Sequence, residues 1–362
     1  MKDPNAIHRR SVRRRGLVLL GLVCLIPLVG FSYQAIGSAL DAQNYPPPGR
    51  LVDVSGYRLH LYCTGEGAPT VVLDSGLGGS WLDWSRVQPA LEKTTHVCSY
   101  DRAGLGWSDV GPEPRDAQHA VEELHALLQN AGVAGPLIFV GHSNGGLRAQ
   151  LYAALYPNDV VGMVLVDPTI TQSTNEQLAA LPAETRAHIN ALLHESGQPT
   201  EAPTPDQNLG MQVLAALAPF GVMRLIGGGL LELSGSLPIE AVEPYRAVAM
   251  RTPYVATVLA ESRQIHQSIQ QVRAQPANLG DMPLVVLLNA VSPPRDDATI
   301  GQAEQELQRL TAPLVQSAGE ALAARSSRGQ LVMVEGSGHY IQIDQPETVI
   351  RSIERVIEET RG

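Results

Sequence analysis

Positive charge is scarce in this chain once its first fifteen residues are passed. Those fifteen hold Lys2, Arg9, Arg10, Arg13, Arg14 and Arg15 against Asp3, while the whole 362-residue chain carries a net charge of −10. The remainder is therefore acidic, by about −15. No basic patch or aromatic-basic repeat interrupts it, so no nucleic-acid partner is expected. Cysteine is scarce too, with Cys24, Cys63 and Cys98 making up the three. No Cys/His or carboxylate set is clustered at ligand spacing, so neither a metal nor another cofactor is implied. Charged residues make up 17% of the chain against 44% hydrophobic, which excludes disorder and is ample for a large core. No internal repeat is present.

The basic segment, residues 1–15, reads as a cytoplasmic tail. It runs into residues 16–36, which contain no charge. As a helix rising ~1.5 Å per residue these would span about 30 Å, the thickness of a bilayer core. Arginines before the run and an acidic body after it suggest a transmembrane anchor with the catalytic body outside, periplasmic or extracellular. A cleaved signal peptide, giving a secreted protein, is the competing reading, with Gly37-Ser38-Ala39 as a weak cleavage site. Residues 37–50, containing Pro46-Pro47-Pro48, read as a stiff linker. Residues 51–362 are left as the folded body.

Within that body, apolar runs of strand type alternate with helical patterns. Strands are expected at Leu51–Val54, Arg58–Cys63, Thr70–Asp74, His96–Tyr100, Leu137–Val140, Val161–Val166, Leu284–Leu288 and Leu331–Val334. The first two form a hairpin around Ser55-Gly56. Helices are expected at Trp81–Leu91, Ala117–Asn130, Gly146–Tyr156, Gln302–Ala323 and Pro346–Glu359. This pattern predicts an α/β fold with an eight-stranded, mostly parallel, doubly wound sheet. The stretch from about 169 to 280 shows helical periodicity without a convincing strand, at Asn175–Leu181, Ala183–Leu193, Gln207–Leu217 and Thr257–Arg273. Following the sixth strand, it is expected to form a helical cap over the carboxyl edge of the sheet.

One short stretch carries the chemistry. Leu137 to Val140 leads into Gly141-His142-Ser143-Asn144-Gly145, and a helical pattern follows. That is the strand–turn–helix setting of a nucleophile elbow, with Ser143 lifted on a sharp turn and glycines on both sides where a Cβ would crowd. A serine nucleophile needs a base, and the base needs an orienting carboxylate. His339, in the loop after the last strand, fits as base; adjacent His142 should point away from Ser143. Asp167, ending the sixth strand, is the first candidate acid, with Asp296 and Asp297 as the alternatives. The oxyanion donors expected are the backbone amides of Asn144 and of Leu77, the latter in the loop Ser75-Gly76-Leu77-Gly78-Gly79. Asp101 and Arg102 read as a turn-stabilising salt link.

Together these motifs resemble the α/β-hydrolases over some 300 residues from about Arg50 onward. Ser75 to Gly79 is similar to their oxyanion loop, and Asp101-Arg102-Ala103-Gly104-Leu105-Gly106-Trp107-Ser108 to the turn after their fourth strand. Gly141 to Gly145 is similar to the elbow, and Gly338-His339 with Gln345-Pro346-Glu347 to the histidine loop and final helix. The chain departs from the pattern at Ser75, where a histidine is usual, and after the seventh strand, where Asn289-Ala290-Val291-Ser292 replaces the usual acid. Secreted lipases and platelet-activating-factor acetylhydrolases carry the acid after strand six, as Asp167 would be here. Serine at the elbow argues against dehalogenase and epoxide hydrolase chemistry, which use aspartate there. The resemblance also sets the second strand beside the fourth, so Cys63 and Cys98 could pair.

The resemblance implies a serine hydrolase of the capped esterase or lipase type, acting on a small-molecule ester through an acyl-enzyme. A proline-iminopeptidase-like aminopeptidase cleaving an amide is the alternative; it would need cap carboxylates such as Glu240 and Glu243 to hold an amino terminus. A non-catalytic binding module on the same fold is a third reading.

Overall fold

The computed structural model describes residues 4–171, 181–195, 209–227, 237–275, 278–290 and 298–362. Its eight strands are β1 (Arg50–Asp53), β2 (Arg58–Thr64), β3 (Thr70–Asp74), β4 (Val97–Tyr100), β5 (Leu137–His142), β6 (Val160–Val166), β7 (Leu284–Asn289) and β8 (Gly329–Val334). They form one sheet in the order β1-β2-β4-β3-β5-β6-β7-β8. β1–β2 and β2–β4 pair antiparallel, and every pair from β4 to β8 is parallel. The expected α/β sheet is therefore present.

Both faces of the sheet are covered, which is why β3 and β5 are apolar runs rather than alternating ones. Alternation decides instead which core a side chain enters. Val72, Phe139, Met163 and Leu165 pack on one side; Val71, Leu73, Ile138, Val140, Val164 and Val166 pack on the other. The helices are α1 (Pro4–Asn44), α2 (Gln88–Leu91), α3 (Ala117–Ala131), α4 (Asn144–Leu155), α5 (Ala183–Glu195), α6 (Leu209–Leu217) and α7 (Val222–Ile226). After them come α8 (Ile239–Ala249), α9 (Tyr254–Arg263), α10 (Ile265–Arg273), α11 (Ala298–Ala323), α12 (Ile341–Asp344) and α13 (Pro346–Arg361). The first core takes in α3 and α4, and the second α13. Helices α5 to α10 fall between β6 and β7, where the helical insertion is expected.

Several local expectations shift. Trp81–Leu91 is a 3₁₀ turn at Trp81–Trp84 followed by the single turn α2, with Pro89 in its first turn. Thr257–Arg273 is two helices, α9 and α10, separated at Gln264. Most of the helix expected at Asn175–Leu181 lies outside the described residues.

The largest correction concerns the amino terminus. Residues 16–36 do not stand apart from a linker at 37–50. They belong to α1, which continues unbroken to Asn44 and docks on the helical insertion. Gln34, inside the supposed anchor, is buried and donates to Met250 O at 2.9 Å and to Ser38 Oγ at 3.1 Å. Arg224 reaches Gln34 Oε1 at 3.1 Å, Ser38 Oγ at 3.2 Å and Asp41 Oδ2 at 2.5 Å. The backbone of Gly30 lies close enough to Phe220 that a Cβ there would clash. Among the described residues no helix is long and apolar enough to cross a membrane. The transmembrane anchor, the membrane as partner and the membrane-anchored localisation are thus overturned. The face of α1 that carries Gln34 and Ser38 makes polar protein contacts, which a lipid-facing helix could not supply.

Candidate active site

Two sharp backbone turns at the carboxyl edge of the sheet set the geometry. Ser143 follows β5 with φ 51° and ψ −119°, and Asp167 follows β6 with φ 41°. Non-glycine residues with positive φ carry strain that the surroundings must hold in place. Here the sheet does so: Ser143 N–H donates to Val166 O at 3.1 Å, and Asp167 N–H to Leu287 O at 2.8 Å. Ser143 O in turn accepts from Gly146 N–H at 2.9 Å and Thr169 N–H at 3.0 Å. Gly141 abuts the carbonyl of Gly145, and Gly145 abuts that of Asp74, so neither position has room for a Cβ.

His339 meets Asp167 across this edge, with Nδ1 2.6 Å from Oδ2. Asp167 also accepts from Asn289 N–H at 3.1 Å and from Asn289 Nδ2 at 3.4 Å. Asn289 thus ends β7, where the usual acid would stand, and holds the acid of the neighbouring strand. Asp296 and Asp297, the alternative acids, lie outside the described residues. The His339 side chain remains 48% exposed, whereas Asp167 is 15% exposed. His142 lies buried beneath, its Nε2 2.9 Å from His339 O and its ring 4.7 Å from the His339 ring. Burial, reinforced by His339, drives the His142 imidazole down to about 3, so it is neutral at physiological pH.

Asn144 opens α4, and its N–H is one of the first-turn donors that have no partner within a helix. Its side-chain oxygen accepts from Thr169 Oγ1 at 2.6 Å. Leu77 sits in the loop after β3. Its neighbour Gly76 packs so closely on the elbow that a Cβ there would lie 3.1 Å from Ser143 Cβ.

Behind that loop lies a charged cluster that the sequence did not disclose. Arg102 does not pair with Asp101. Its guanidinium forks onto Glu261 of α9, at 2.5 Å from Nε and 3.0 Å from Nη2, and approaches Asp74 at 3.4 Å. Arg148 of α4 binds both oxygens of Asp74 at 2.8 Å. Burial alone would lower Arg102 and raise Glu261, but each charge outweighs that for the other, holding Arg102 above and Glu261 below its ordinary value. Asp101 instead accepts from Trp81 N–H and Trp107 N–H, both at 2.9 Å, and lies 2.7 Å from His60 Nδ1. Asp83, beside Gly79, is buried, and burial lifts its carboxyl to about 7. Glu240 and Glu243 are exposed on α8, and Glu243 pairs with Arg246.

Cys63 and Cys98 lie on neighbouring strands in the half of the sheet that β1 borders. Cys63 of β2 and Cys98 of β4 are register partners joined by a disulfide, with Cα atoms 4.0 Å apart.

A sequence model of the alpha/beta hydrolase family matches residues 71–352. Among curated proteins, an AB hydrolase superfamily protein of Gibberella zeae is 23% identical over 315 residues, covering 81% of this chain and 87% of the relative. The uncharacterized protein YbdG of Bacillus subtilis is 28% identical over 156 residues, covering 42% of this chain and 48% of YbdG. The chain thus spans about half of that relative's length, and 42% of the uncharacterized YqjL of the same organism. Among solved structures, the epoxide hydrolase CorEH superposes with a TM-score of 0.61 at 18% identity, covering 86% of this chain and 98% of CorEH, a likeness of fold. With the family model covering most of its length, and with the sheet order and elbow described above, the chain belongs to the alpha/beta hydrolase family.

Proposed function

We propose that this hydrolase cleaves carboxylic esters through a Ser143–His339–Asp167 triad. The observation that carries the reading is the 2.6 Å contact between His339 Nδ1 and Asp167 Oδ2, across the sheet edge from a serine held on a positive-φ elbow. A carboxylate bonded to Nδ1–H leaves Nε2 as the basic nitrogen. In the first step His339 Nε2 takes the Ser143 hydroxyl proton as Oγ bonds to the substrate carbonyl carbon. The carbonyl electron pair moves onto oxygen, where the Leu77 and Asn144 amides receive it; each such donor contributes about 3 kcal/mol. The tetrahedral intermediate collapses, the alcohol leaves with the proton from His339, and Ser143 keeps the acyl group. Water, deprotonated by His339, then repeats the sequence and releases the carboxylic acid. The neutral His142 below adds no cation to compete for Asp167.

An ester is preferred over a peptide-like amide because the carboxylates that an aminopeptidase needs, Glu240 and Glu243, are surface groups here. The test uses the full chain, since α1 is part of the packed structure. Stoichiometric labelling by a fluorophosphonate and turnover of p-nitrophenyl esters above aminoacyl anilides are expected. Faster anilide turnover would favour the aminopeptidase, and absence of both labelling and turnover would favour a binding module.

A further inference from the structure

The oxyanion loop is held from outside the sheet, and its holder belongs to the helical insertion. Ser75 O accepts from Arg102 Nη1 at 3.0 Å and from Arg148 Nη2 at 2.6 Å. Gly76 O accepts from Arg102 Nη2 at 2.7 Å and from Gly79 N–H at 3.1 Å. One further backbone group, Gly78 N–H, donates to Glu261 Oε2 at 3.3 Å. Arg102 and Glu261 are both buried, at 1% and 7% side-chain exposure. Their ion pair therefore grips three consecutive peptide units of the loop from behind.

The geometry of a peptide unit turns that grip into aim. In a trans peptide, C=O and the following N–H point in opposite directions, and the bond from Gly76 to Leu77 is trans. Fixing Gly76 O on the Arg102 guanidinium therefore turns Leu77 N–H away from Arg102. The elbow is the other neighbour of this segment, since Gly76 packs against Ser143 and His142. The next donor, Gly78 N–H, is committed to Glu261 and cannot take Leu77's part.

We infer that Arg102 and Glu261 are positioning residues for the oxyanion hole: the cap helix α9 supplies the carboxylate that orients Arg102, and Arg102 aims Leu77 N–H at the substrate's developing oxyanion. The inference rests on the esterase reading above. It makes the helical insertion part of the catalytic apparatus as well as a cover over it. A preorganised donor helps only if it need not reorient when charge develops, and the two charge-assisted hydrogen bonds from Arg102, one to Ser75 O and one to Gly76 O, supply that stiffness.

The experiment compares wild type with Glu261→Gln and with the double variant Arg102→Met/Glu261→Leu. The double variant removes both buried charges together and so leaves neither unpaired, which keeps it foldable. Ester kcat and KM are measured alongside Ki for a trifluoromethyl ketone, which Ser143 converts reversibly to a hemiketal oxyanion. Loss of one well-aimed donor costs about 10²-fold. The expected result is that kcat falls and Ki rises by that same factor in the double variant, with KM within about threefold and a smaller parallel change in Glu261→Gln. A purely structural role would lower the fraction of active protein, reducing kcat while leaving Ki and KM at wild-type values, and that result overturns the inference alone. Wild-type protein that neither turns over esters nor binds the ketone overturns the esterase reading and this inference with it.

Discussion

Two charged constellations meet at the carboxyl edge of the sheet, and they are built to opposite specifications. Asp167 and His339 form one pair whose imidazole is half exposed and whose carboxylate is held by Asn289. Asp74, Arg102, Arg148 and Glu261 form the other, and all four are buried. The open pair leaves its imidazole accessible to solvent, as the proposed triad requires. The closed set is locked by short bonds to backbone carbonyls and is shut off from solvent. Exposure therefore sets the two constellations apart: one pair opens to solvent beside the elbow, and the other set is closed behind the loop of residues 75–78.

The sharpest way to test that division is to remove the nucleophile. Ser143→Ala should abolish fluorophosphonate labelling and lower kcat by about 10⁶-fold while leaving thermal stability near wild type. Persistent labelling would place the nucleophile elsewhere. Next in size is Asp167→Asn, which leaves the imidazole in the wrong tautomer and should lower kcat by about 10⁴-fold. Asp296→Asn and Asp297→Asn should retain most activity; a collapse in either with Asp167→Asn still active would move the acid to the segment that follows β7 in sequence. The melting temperature of Asp167→Asn distinguishes a catalytic loss from loss of a structural turn.

Smaller effects belong to stability. The disulfide closes a loop of 35 residues, for which the loop-entropy relation gives up to about 4 kcal/mol. Cys63→Ser/Cys98→Ser should lower the denaturation midpoint accordingly and leave kcat unchanged, because the bridge lies away from the catalytic edge. A fall in kcat would show that β2 and β4 communicate with the oxyanion loop. The effect of Asp83 depends on pH. Its folded carboxyl holds a proton up to about 7, while an unfolded one loses it near 4. Between those values the folded state binds the extra proton, so this group's contribution to stability is complete below pH 4 and declines as pH rises toward 7. Asp83→Asn should equal wild type in melting temperature at pH 4 and exceed it at pH 8. No difference at pH 8 would show that the carboxyl ionises without penalty.

How much of this could be read beforehand depended on the range of the interaction. The strands of the parallel sheet were legible because strands covered on both faces must be apolar throughout. The sharp turn at Ser143 was legible through the glycines that turn demands, and the meeting of His339 with Asp167 through their places after β8 and β6. Local cues failed where a distant contact decides. Glu261 lies 159 residues from Arg102 and reads as one more acid on an amphipathic helix. Gln34 carries no charge and so leaves the uncharged run of residues 16–36 unbroken; its part in the fold comes from contacts with Met250 and Arg224, more than 180 residues away. Nothing in Gly37-Ser38-Ala39 breaks a helix strongly enough to stop α1, so the expected boundary there did not exist. The division of Thr257–Arg273 at Gln264 likewise has no Gly or Pro to signal it.

The Glu261–Arg102 pair also bears on modularity. Hydrolase caps invite exchange, since an insertion between two strands can in principle be swapped without disturbing the sheet. Here a graft lacking an acid at the position of Glu261 would strand a buried guanidinium, at a cost of about 3–5 kcal/mol. A chimera built on this sheet must therefore carry that acid over, or replace Arg102 at the same time. The unit of transplantation is the insertion together with the turn after β4, and not the insertion by itself.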